Sequence, residues 1–360
     1  MTDTFARESM IAGRREPVIV PFGTLPGGQP VEQHTLTNAA GVEVAFLSLG
    51  GIITRVSVPD RDGHFADITP GYDTLEHYLS DTRYFGALVG RYANRIADAH
   101  FVLDGVEYQL AKNDGHNQLH GGPHGFHSVV WDVTPVSVAS GAGAALRHRF
   151  AAGTDGYPGT LDVAVTYTLT DANELVVDYA ATTDAPTVVN MTQHVYFNLA
   201  GQASGDIFDH ELTLHASHYL PVNAHVIPTG EIASVRDTAF DFTAPRPIRL
   251  VNAAGAPTEY DNTFVIDSRD PQSPVAVLRE PRSGRTIEVM TTEPGIQLYT
   301  GKYIGTGTHG KAGHHYPANS ALALETQHFP NSPNEPRFPS TILRPGEQFI
   351  SSTTYRFSAT

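Results

Sequence analysis

The sequence predicts an all-β protein, built as one large antiparallel β-sandwich. Apolar and polar residues alternate with a period of two in several segments, which is the pattern of strands that bury one face. Helical periodicity is nearly absent. The chain of 360 residues also contains 33 Gly and 25 Pro, spread evenly enough to supply the turns of a large antiparallel fold.

The N-terminal residues do not share this alternation. Residues 1–16 mix acids and bases and lack an apolar core, so they do not form a secretory signal, and we expect a cytoplasmic protein. Residues 1–30 end in Pro26-Gly-Gly-Gln-Pro30 and read as a loose arm that leads into the first regular strand. We therefore expect an arm over 1–30 and one sandwich domain over 31–360, because sandwiches of this size occur as single units.

The alternation is strongest between residues 161 and 179. Leu161, Val163 and Val165 begin an apolar face that continues to Leu169, and the turn residues 171–174 separate it from a second alternating run. This pattern predicts a β-hairpin. The same alternation predicts strands at 42–47, 285–290 and 348–357 and a second hairpin at 101–110, around the turn pair Asp104-Gly105. Residues 74–79 differ and look like a short helical turn.

Composition excludes several classes of function. The chain has 23 Lys and Arg against 38 Asp and Glu, so its formal charge is −15 and it should not attract nucleic acid or anionic membranes. No run of about 18 apolar residues predicts a membrane span. There is no cysteine, so disulfides, thiolate metal sites and a cysteine nucleophile are excluded.

Three distant segments carry the residues that suit a sugar site. They place titratable or fork-shaped groups among small and aromatic residues, which match the apolar and hydroxyl surfaces of a pyranose. Imidazole and carboxylate groups in them can exchange protons near neutral pH. The segments are Gly90–Ile96 with Leu119–Gly122, Asn190–Leu199, and Leu324–Pro330.

Each candidate residue also has a structural interpretation. His120 lies beside two glycines, which allow close approach of a ligand, but a neighbouring carbonyl could satisfy it. His116, His120 and His124 have the helical spacing of a metal site, yet the glycines and Pro123 between them disfavour a helix. We therefore expect no metal there.

Two further groups are candidates for acid–base chemistry. His194 follows a β-branched run and is either a rigidly held functional group or a core histidine bonded to Thr or Asn. Glu325 ends an apolar run, where burial would raise its pKa toward the range of a general base, although a strand-end glutamate can also face solvent. Asn94 and Arg95 offer hydrogen-bond donors for vicinal oxygens, or a surface salt bridge in the case of Arg95.

Together the motifs resemble those of the aldose 1-epimerases, also called galactose mutarotases. The resemblance runs from about residue 35 to the C-terminus, with the motifs in the family's order. It is carried by Gly90–Ile96, the hairpin at 101–110, residues 117–122 with Gly125-Phe126 and Trp131, residues 190–199, Glu293–Tyr299 and Glu325–Pro330.

The resemblance implies a galactose mutarotase-like supersandwich that interconverts the α and β anomers of free aldohexoses such as galactose and glucose, without a cofactor or metal. In the family, the glutamate matched by Glu325 is the general base and the histidine matched by His194 is the acid. The histidine matched by His120 holds and polarises the sugar near its ring oxygen. The residues that match the sugar-binding groups are Asn94, Arg95, Asp261 and Gln297.

Two positions depart from the family pattern, and other functions remain open. Gln193 stands where Asn is expected and Tyr92 where a small aliphatic residue is common, so either could change specificity. A non-catalytic sugar-binding sandwich would not need His194 and Glu325 together. A glycoside hydrolase would need two carboxylates about 5–5.5 or 6.5–9.5 Å apart, for which Asp261 and Glu325 are the candidates.

The partner is expected to be a small aldose. An enzyme for a sugar phosphate or a less common aldose is a further alternative, but the segments near the site contain Arg91 and Arg95 without a basic cluster for phosphate. A free sugar is therefore favoured. We expect a monomer or homodimer.

Overall fold

The computed structural model describes residues 14–251, 255, 257–268, 270–305 and 309–360. Their regular structure is almost entirely strand. The first half of the chain contributes β1 (Arg14–Arg15), β2 (Val18–Thr24), β3 (Pro30–Thr37), β4 (Glu43–Leu47), β5 (Ile53–Pro59), β6 (Phe65–Asp67), β7 (Ala87–Val89), β8 (Arg95–Ile96), β9 (His100–Leu103), β10 (Val106–Gln109), β11 (Gln118–Leu119), β12 (Asp132–Val136), β13 (Gly141–Phe150), β14 (Leu161–Thr170) and β15 (Glu174–Thr183).

The second half of the chain is built in the same way. Its strands are β16 (Thr187–Val188), β17 (Thr192–His194), β18 (Tyr196–Phe197), β19 (Glu211–Leu214), β20 (His218–Tyr219), β21 (Ala233–Ser234), β22 (Arg246–Pro247), β23 (Asp261–Val265), β24 (Ala276–Arg279), β25 (Arg285–Thr291), β26 (Gly295–Tyr299), β27 (Leu322–Gln327), β28 (Ile342–Leu343) and β29 (Phe349–Ala359). Short 3₁₀ turns lie at Ala97–Ala99, Phe126–Ser128, Thr154–Gly156, Lys311–Gly313 and Ser332–Asn334.

Three larger sheets dominate the fold. The ten-stranded sheet has the order β1-β13-β14-β15-β29-β25-β24-β19-β22, with β12 also paired to β13. The six-stranded sheet has the order β18-β27-β26-β23-β20-β21, and the five-stranded sheet is β2-β3-β4-β5-β6. Four two-stranded ladders complete the described topology: β7–β17, β8–β11, β9–β10 and β16–β28.

One hydrophobic core joins these sheets. It includes Phe46 from the five-stranded sheet, Val165 and Tyr167 from the ten-stranded sheet, and Phe264 and Leu324 from the six-stranded sheet. These side chains are fully buried between the sheets. The architecture is therefore a β-sandwich, as the alternation predicted.

The individual strand predictions are confirmed. Strands β14 and β15 form the hairpin predicted for 161–179, with the odd-numbered residues of β14 buried. Strands β9 and β10 form the hairpin around Asp104-Gly105, and β4, β25 and β29 occupy the remaining predicted segments. Strands β14, β15 and β29 each bury one face, so their local pattern was sufficient to identify them. Strand β4 is largely buried and β10 is mostly exposed, and for the hairpin of β9 and β10 the turn pair Asp104-Gly105 was the additional signal.

The helical turn predicted for 74–79 is also present. Helix α1 (Leu75–Ser80) buries Leu75 and Tyr78 and exposes the residues between them. It has only six residues, and none of the helices among the described residues is both long enough and apolar enough to cross a membrane.

The N-terminal prediction was wrong in one respect. Within the expected arm, β2 is a regular strand that pairs antiparallel with β3, and β1 pairs with β13. Both faces of β2 are largely exposed, so its sequence lacks the buried face on which the alternation argument depends. Residues 1–13 lie outside the described residues, and the division at residue 30 remains a prediction.

Candidate active site

A cavity of about 400 Å³ opens at one edge of the six-stranded sheet. This volume lies within the range of small-molecule sites. It brings together six of the seven predicted site residues from five separate segments of the chain. Its lining is Thr82, Arg83, Tyr84, Asn94, Arg95, Asp114, Leu119, His120, His194, Tyr196, Asp261, Tyr299, Tyr303 and Glu325.

His194 and Glu325 face each other inside the cavity. His194 ends β17 and Glu325 lies within β27, and their Nε2 and Oε1 atoms are 3.6 Å apart. Both side chains are at least 95% buried. Burial raises the pKa of Glu325 well above its usual value, with nearby Asp261 as a smaller cause, and burial lowers the pKa of His194. Burial therefore favours the neutral form of both groups, and transfer of one proton from Glu325 to His194 would give a carboxylate beside an imidazolium.

His120 is held in one tautomer by the backbone. The N–H of Asn94 donates to His120 Nδ1 at 3.2 Å, and the N–H of His120 donates to the Asn94 carbonyl at 3.0 Å. Burial lowers the pKa of His120 well below its usual value, with His194 as the next cause. Because Nδ1 accepts, the neutral ring carries its proton on Nε2 and is a hydrogen-bond donor there.

Glycine makes this arrangement possible. Gly121 has φ +86°, and a Cβ at this position would overlap the Gly90 carbonyl oxygen. The two loops therefore approach backbone to backbone, which no other residue type would permit. This contact fixes His120 relative to Asn94.

Arg95 is oriented by a carboxylate. Its Nε donates to Asp114 Oδ2 at 2.8 Å, and its backbone N–H donates to Asn94 Oδ1 at 2.8 Å. Its side chain is only 13% exposed. The salt bridge anticipated as an alternative is present, and the guanidinium nevertheless lines the cavity.

Asp261 is held by a short chain of hydrogen bonds across the sheet. Gln297 Nε2 donates to Asp261 Oδ1 at 2.6 Å, and Gln297 Oε1 accepts from the Thr263 hydroxyl at 2.5 Å. Burial raises the pKa of Asp261, while the charge of Arg95 opposes this rise. Asp261 lines the cavity, whereas Gln297, the seventh predicted site residue, lies behind it and orients its carboxylate.

The cavity also contains three potential metal-binding atoms. Ligand atoms of His120, His194 and Glu325 all lie within 4.8 Å of one another. The other two histidines of the spacing considered in the sequence lie elsewhere: His116 contacts Asp98 and His225, and His124 bonds Asp155. Adding a chelator to an activity assay distinguishes proton transfer by these three residues from chemistry that needs a metal ion bound to them.

The two departures from the family pattern point away from the cavity. Gln193 accepts from the Tyr167 hydroxyl and donates to the Gly86 carbonyl, so it packs behind β17. Tyr92 is buried and donates to the Phe329 carbonyl at 3.0 Å. Neither side chain lines the cavity, and their hydrogen bonds serve the scaffold.

Sequence reasoning missed several lining residues. Tyr84 contacts the rings of His120, His127 and His194 at centroid distances of 4.7, 4.8 and 6.1 Å. Its φ of +56° is unusual for tyrosine, and no local pattern signals it. Tyr196, by contrast, lies two residues after His194 in the segment Asn190–Leu199, which the sequence analysis assigns to the sugar site. It could therefore have been predicted as a lining residue.

The chain is similar over most of its length to proteins of one known family. The family model described as aldose 1-epimerase matches residues 32–356. The chain is 44% identical to galactose mutarotase of Bos taurus over 337 residues, covering 94% of this chain and 97% of that protein. It is 36% identical to aldose 1-epimerase of Escherichia coli over 345 residues, covering 93% and 97%.

A solved structure agrees as well. The crystal structure of a GalM/aldose epimerase homologue from C. elegans superposes with a TM-score of 0.84 at 33% identity, covering 91% of this chain and 98% of that one. The fold, the sequence identity and the matched span therefore all indicate the same family. The chain belongs to the aldose 1-epimerase family and is a carbohydrate isomerase.

Proposed function

We propose that this enzyme interconverts the α and β anomers of free aldohexoses such as galactose and glucose, with Glu325 as general base and His194 as general acid. The observation that carries the proposal is the separation of 3.6 Å between His194 Nε2 and Glu325 Oε1 inside the cavity. The two oxygens that exchange protons in this reaction, O1 and O5, are both bonded to C1. Their acid and base must therefore lie close together.

The proposed steps conserve protons. The Glu325 carboxylate accepts the proton of the C1 hydroxyl, C1–O5 breaks as C1=O1 forms, and His194 gives a proton to O5. The open aldehyde rotates about C1–C2. On closure O5 attacks the other face of C1, its proton returns to His194, and Glu325 returns its proton to O1.

The other cavity groups are assigned to binding. His120 donates from Nε2 toward the ring oxygen, while Asn94, Arg95 and Asp261 bond the sugar hydroxyls, with Gln297 orienting Asp261. Both arginines of the lining already have partners, because Arg95 bonds Asp114 and Arg83 bonds Asp81. This pairing favours a free sugar over a sugar phosphate.

Polarimetry tests the proposal. Freshly dissolved α-D-galactose and α-D-glucose are followed with and without enzyme in a weakly catalytic buffer, in one series with EDTA and in another without it. Faster decay to the same final rotation is expected. No acceleration with either sugar would favour another aldose or a non-catalytic binding module, and activity lost only with EDTA would indicate a metal at the His120 trio.

The acid–base assignment has its own variants. Glu325→Gln and His194→Asn should each lower kcat by about 10²- to 10⁴-fold, the usual contribution of such groups. A second carboxylate–histidine pair outside the cavity, buried Glu293 with partly exposed His328 at 2.5 Å, provides the control. Glu293→Gln removes a comparable carboxylate and should leave turnover within a few-fold. Unchanged rates in both active-site variants would refute the assignment.

A further inference from the structure

Polar side chains without partners cluster beside the acid–base pair. Thr192 Oγ1, Glu325 Oε2 and both amide atoms of Gln327 are buried and make no hydrogen bond within the described part of the chain. Gln327 and Thr192 are fully buried. Such atoms are rare, because more than about 90% of buried polar groups are hydrogen-bonded in proteins. Their concentration here calls for a functional reason.

Strand geometry places these groups in one row. Alternate residues of a strand share a face, so Thr192 lies on the face of His194 and Gln327 on the face of Glu325. β27 runs antiparallel to β18, the strand that continues from β17, with Tyr196 opposite Ala323. Strand β17 also contacts β27. Extending the β18–β27 register to β17 would place His194 opposite Glu325, in agreement with their 3.6 Å contact, and Thr192 opposite Gln327.

The position of Gln327 is closed off from solvent. On the other side of Gln327 the facing residue is Gly295, which contributes no side chain. A Cβ at Gly295 would lie 2.9 Å from Thr263 and 3.1 Å from the Phe329 ring, so these two side chains cover the position. Thr192 and Gln327 are therefore buried polar groups near Glu325 in sequence and strand position, and the Oε2 atom of Glu325 is also without a partner among the described residues.

Neighbouring polar groups do not share this property. Thr326, on the opposite face of β27, bonds Thr353 at 2.6 Å between hydroxyl oxygens. Gln297, in the row of Glu325, uses both of its amide atoms. Other unpartnered buried atoms are scattered through the described residues, such as those of Thr69 and Thr341, whereas Thr192, Gln327, Glu325 and His194 Nδ1 come from the two strands that carry the acid–base pair.

We propose that Gln327 and Thr192 are positioning residues for Glu325, which hydrogen-bond its inner oxygen through one ordered water. An amide and a hydroxyl can each donate or accept, so they serve Glu325 both as a carboxylate and as a carboxylic acid. Glu325 alternates between these two states in each turnover. This role rests on the proposed acid–base function of Glu325.

The effect on Glu325 has a definite sign. A donor to its carboxylate favours the charged form, so Gln327 and Thr192 counteract the rise in pKa that burial causes. Removing them should leave Glu325 protonated to higher pH. The other titratable and charged groups that act on Glu325 stay in place in these variants: His120, His194, Arg95, Asp261, Tyr196, Tyr299 and Tyr355.

The experiment compares Gln327→Met, Thr192→Val and Thr192→Ser by steady-state polarimetry between pH 5 and 9. In the first two variants kcat should fall about tenfold, the equivalent of one lost hydrogen bond, while KM stays within about twofold. The acidic limb of their kcat/KM profile should move to higher pH by about one unit. Thr192→Ser keeps the hydroxyl and should restore the wild-type limb.

Thr326→Val is the matched control. It removes a buried hydroxyl from the opposite face of the same strand, so it should lower the Tm without moving the acidic limb. An acidic limb that is unmoved in Gln327→Met and Thr192→Val, or moved equally by Thr326→Val, would overturn the proposal. If one of the two test variants fails to fold, the other carries the comparison.

A second measurement separates this proposal from the proposed function. The carboxyl of Glu325 is titrated by ¹³C NMR in the wild type and in Gln327→Met, with no sugar present. An upward shift of its titration supports the positioning role even if the enzyme proves inactive on both hexoses, and no shift refutes that role. Absence of mutarotase activity in the wild type would refute only the proposed function.

Discussion

At the scale of single residues, the site depends on groups whose protonation is controlled by burial. His194 and Glu325 both lie in a water-poor cavity, and burial shifts their pKa values in opposite directions, each toward the neutral form. The neutral pair and the pair of carboxylate and imidazolium contain the same number of protons, so transfer of one proton from Glu325 to His194 produces the base and the acid that the reaction needs without changing the net charge of the site. The carbonyl chemistry of a free sugar requires no stronger acid or base.

The tautomer of His120 leads to a residue-level prediction. Its Nδ1 is occupied by the Asn94 amide, so only Nε2 can donate to a sugar. Glutamine places an amide donor near the position of Nε2, whereas asparagine reaches only as far as Nδ1. We expect His120→Gln to retain kcat/KM about tenfold better than His120→Asn, the equivalent of one hydrogen bond.

Polarimetry on galactose measures this ratio. The control is His127→Gln, which changes a buried histidine that contacts Tyr84 but does not line the cavity. Equal losses in the two His120 variants would show that Nε2 does not donate to the substrate.

At the scale of elements, the local sequence pattern predicted the strands, but it did not predict the long-range contacts between them. The hairpin of β14 and β15 was predictable because its turn residues and both alternating faces lie within about 20 residues. Asn38, in contrast, ties the β3–β4 turn to this hairpin by donating to the Thr170 carbonyl at 2.9 Å and to Asn173 Oδ1 at 2.7 Å. More than 130 residues separate these partners.

Asn38 therefore tests how the turns hold the sandwich. Its Oδ1 also accepts from the N–H groups of Ala40 and Val42, and the residue is almost fully buried. Asn38→Ala leaves several buried groups unpaired and should lower the free energy of unfolding by about 2–3 kcal/mol. Urea titration at neutral pH measures the loss.

An exposed turn asparagine is the matched control. Asn223 accepts from the N–H groups of His225 and Ile227 in a similar local turn, but it faces solvent. Water can replace its bonds, so Asn223→Ala should lose less than about 1 kcal/mol. Equal losses in the two variants would contradict the role assigned to Asn38.

At the scale of the whole molecule, the continuous core encloses histidines that stay neutral. Burial lowers the pKa of His127 and His210 to about 4, and it also lowers the pKa of His34. In the unfolded chain these groups titrate near 6.5. The unfolded state therefore binds more protons between pH 6.5 and 4, and folding stability must fall as the pH falls through this window.

His210 isolates this effect. Its Nε2 accepts from the Leu199 N–H at 2.9 Å, which further favours the neutral ring. When the pH is lowered from 7.5 to 5, the free energy of unfolding should fall in both proteins. The fall should be smaller in His210→Gln than in the wild type by about 1–3 kcal/mol. His64→Gln, at a side chain that is 81% exposed, should follow the wild type. An unchanged slope in His210→Gln would contradict the assignment.

The sequence by itself determined the all-β class, most of the long strands and six of the residues that line the cavity. These follow from information held within short segments: a period of two, turn residues, and motifs that resemble one family. It misjudged β2, whose two faces are both exposed and so carry no alternation. Local pattern is informative only where one face of an element is buried.

Only the tertiary structure decided how those residues work together. The separation of 3.6 Å between His194 and Glu325, the tautomer of His120 and the inward face of Tyr84 depend on strands and loops far apart in the chain. The hydrogen bond from Gln297 to Asp261 depends on the pairing of distant strands for the same reason, while the predicted sugar contact of Gln297 remains a prediction. Distances, burial and pKa shifts arise from packing between distant segments, and no single segment of the sequence contains that information.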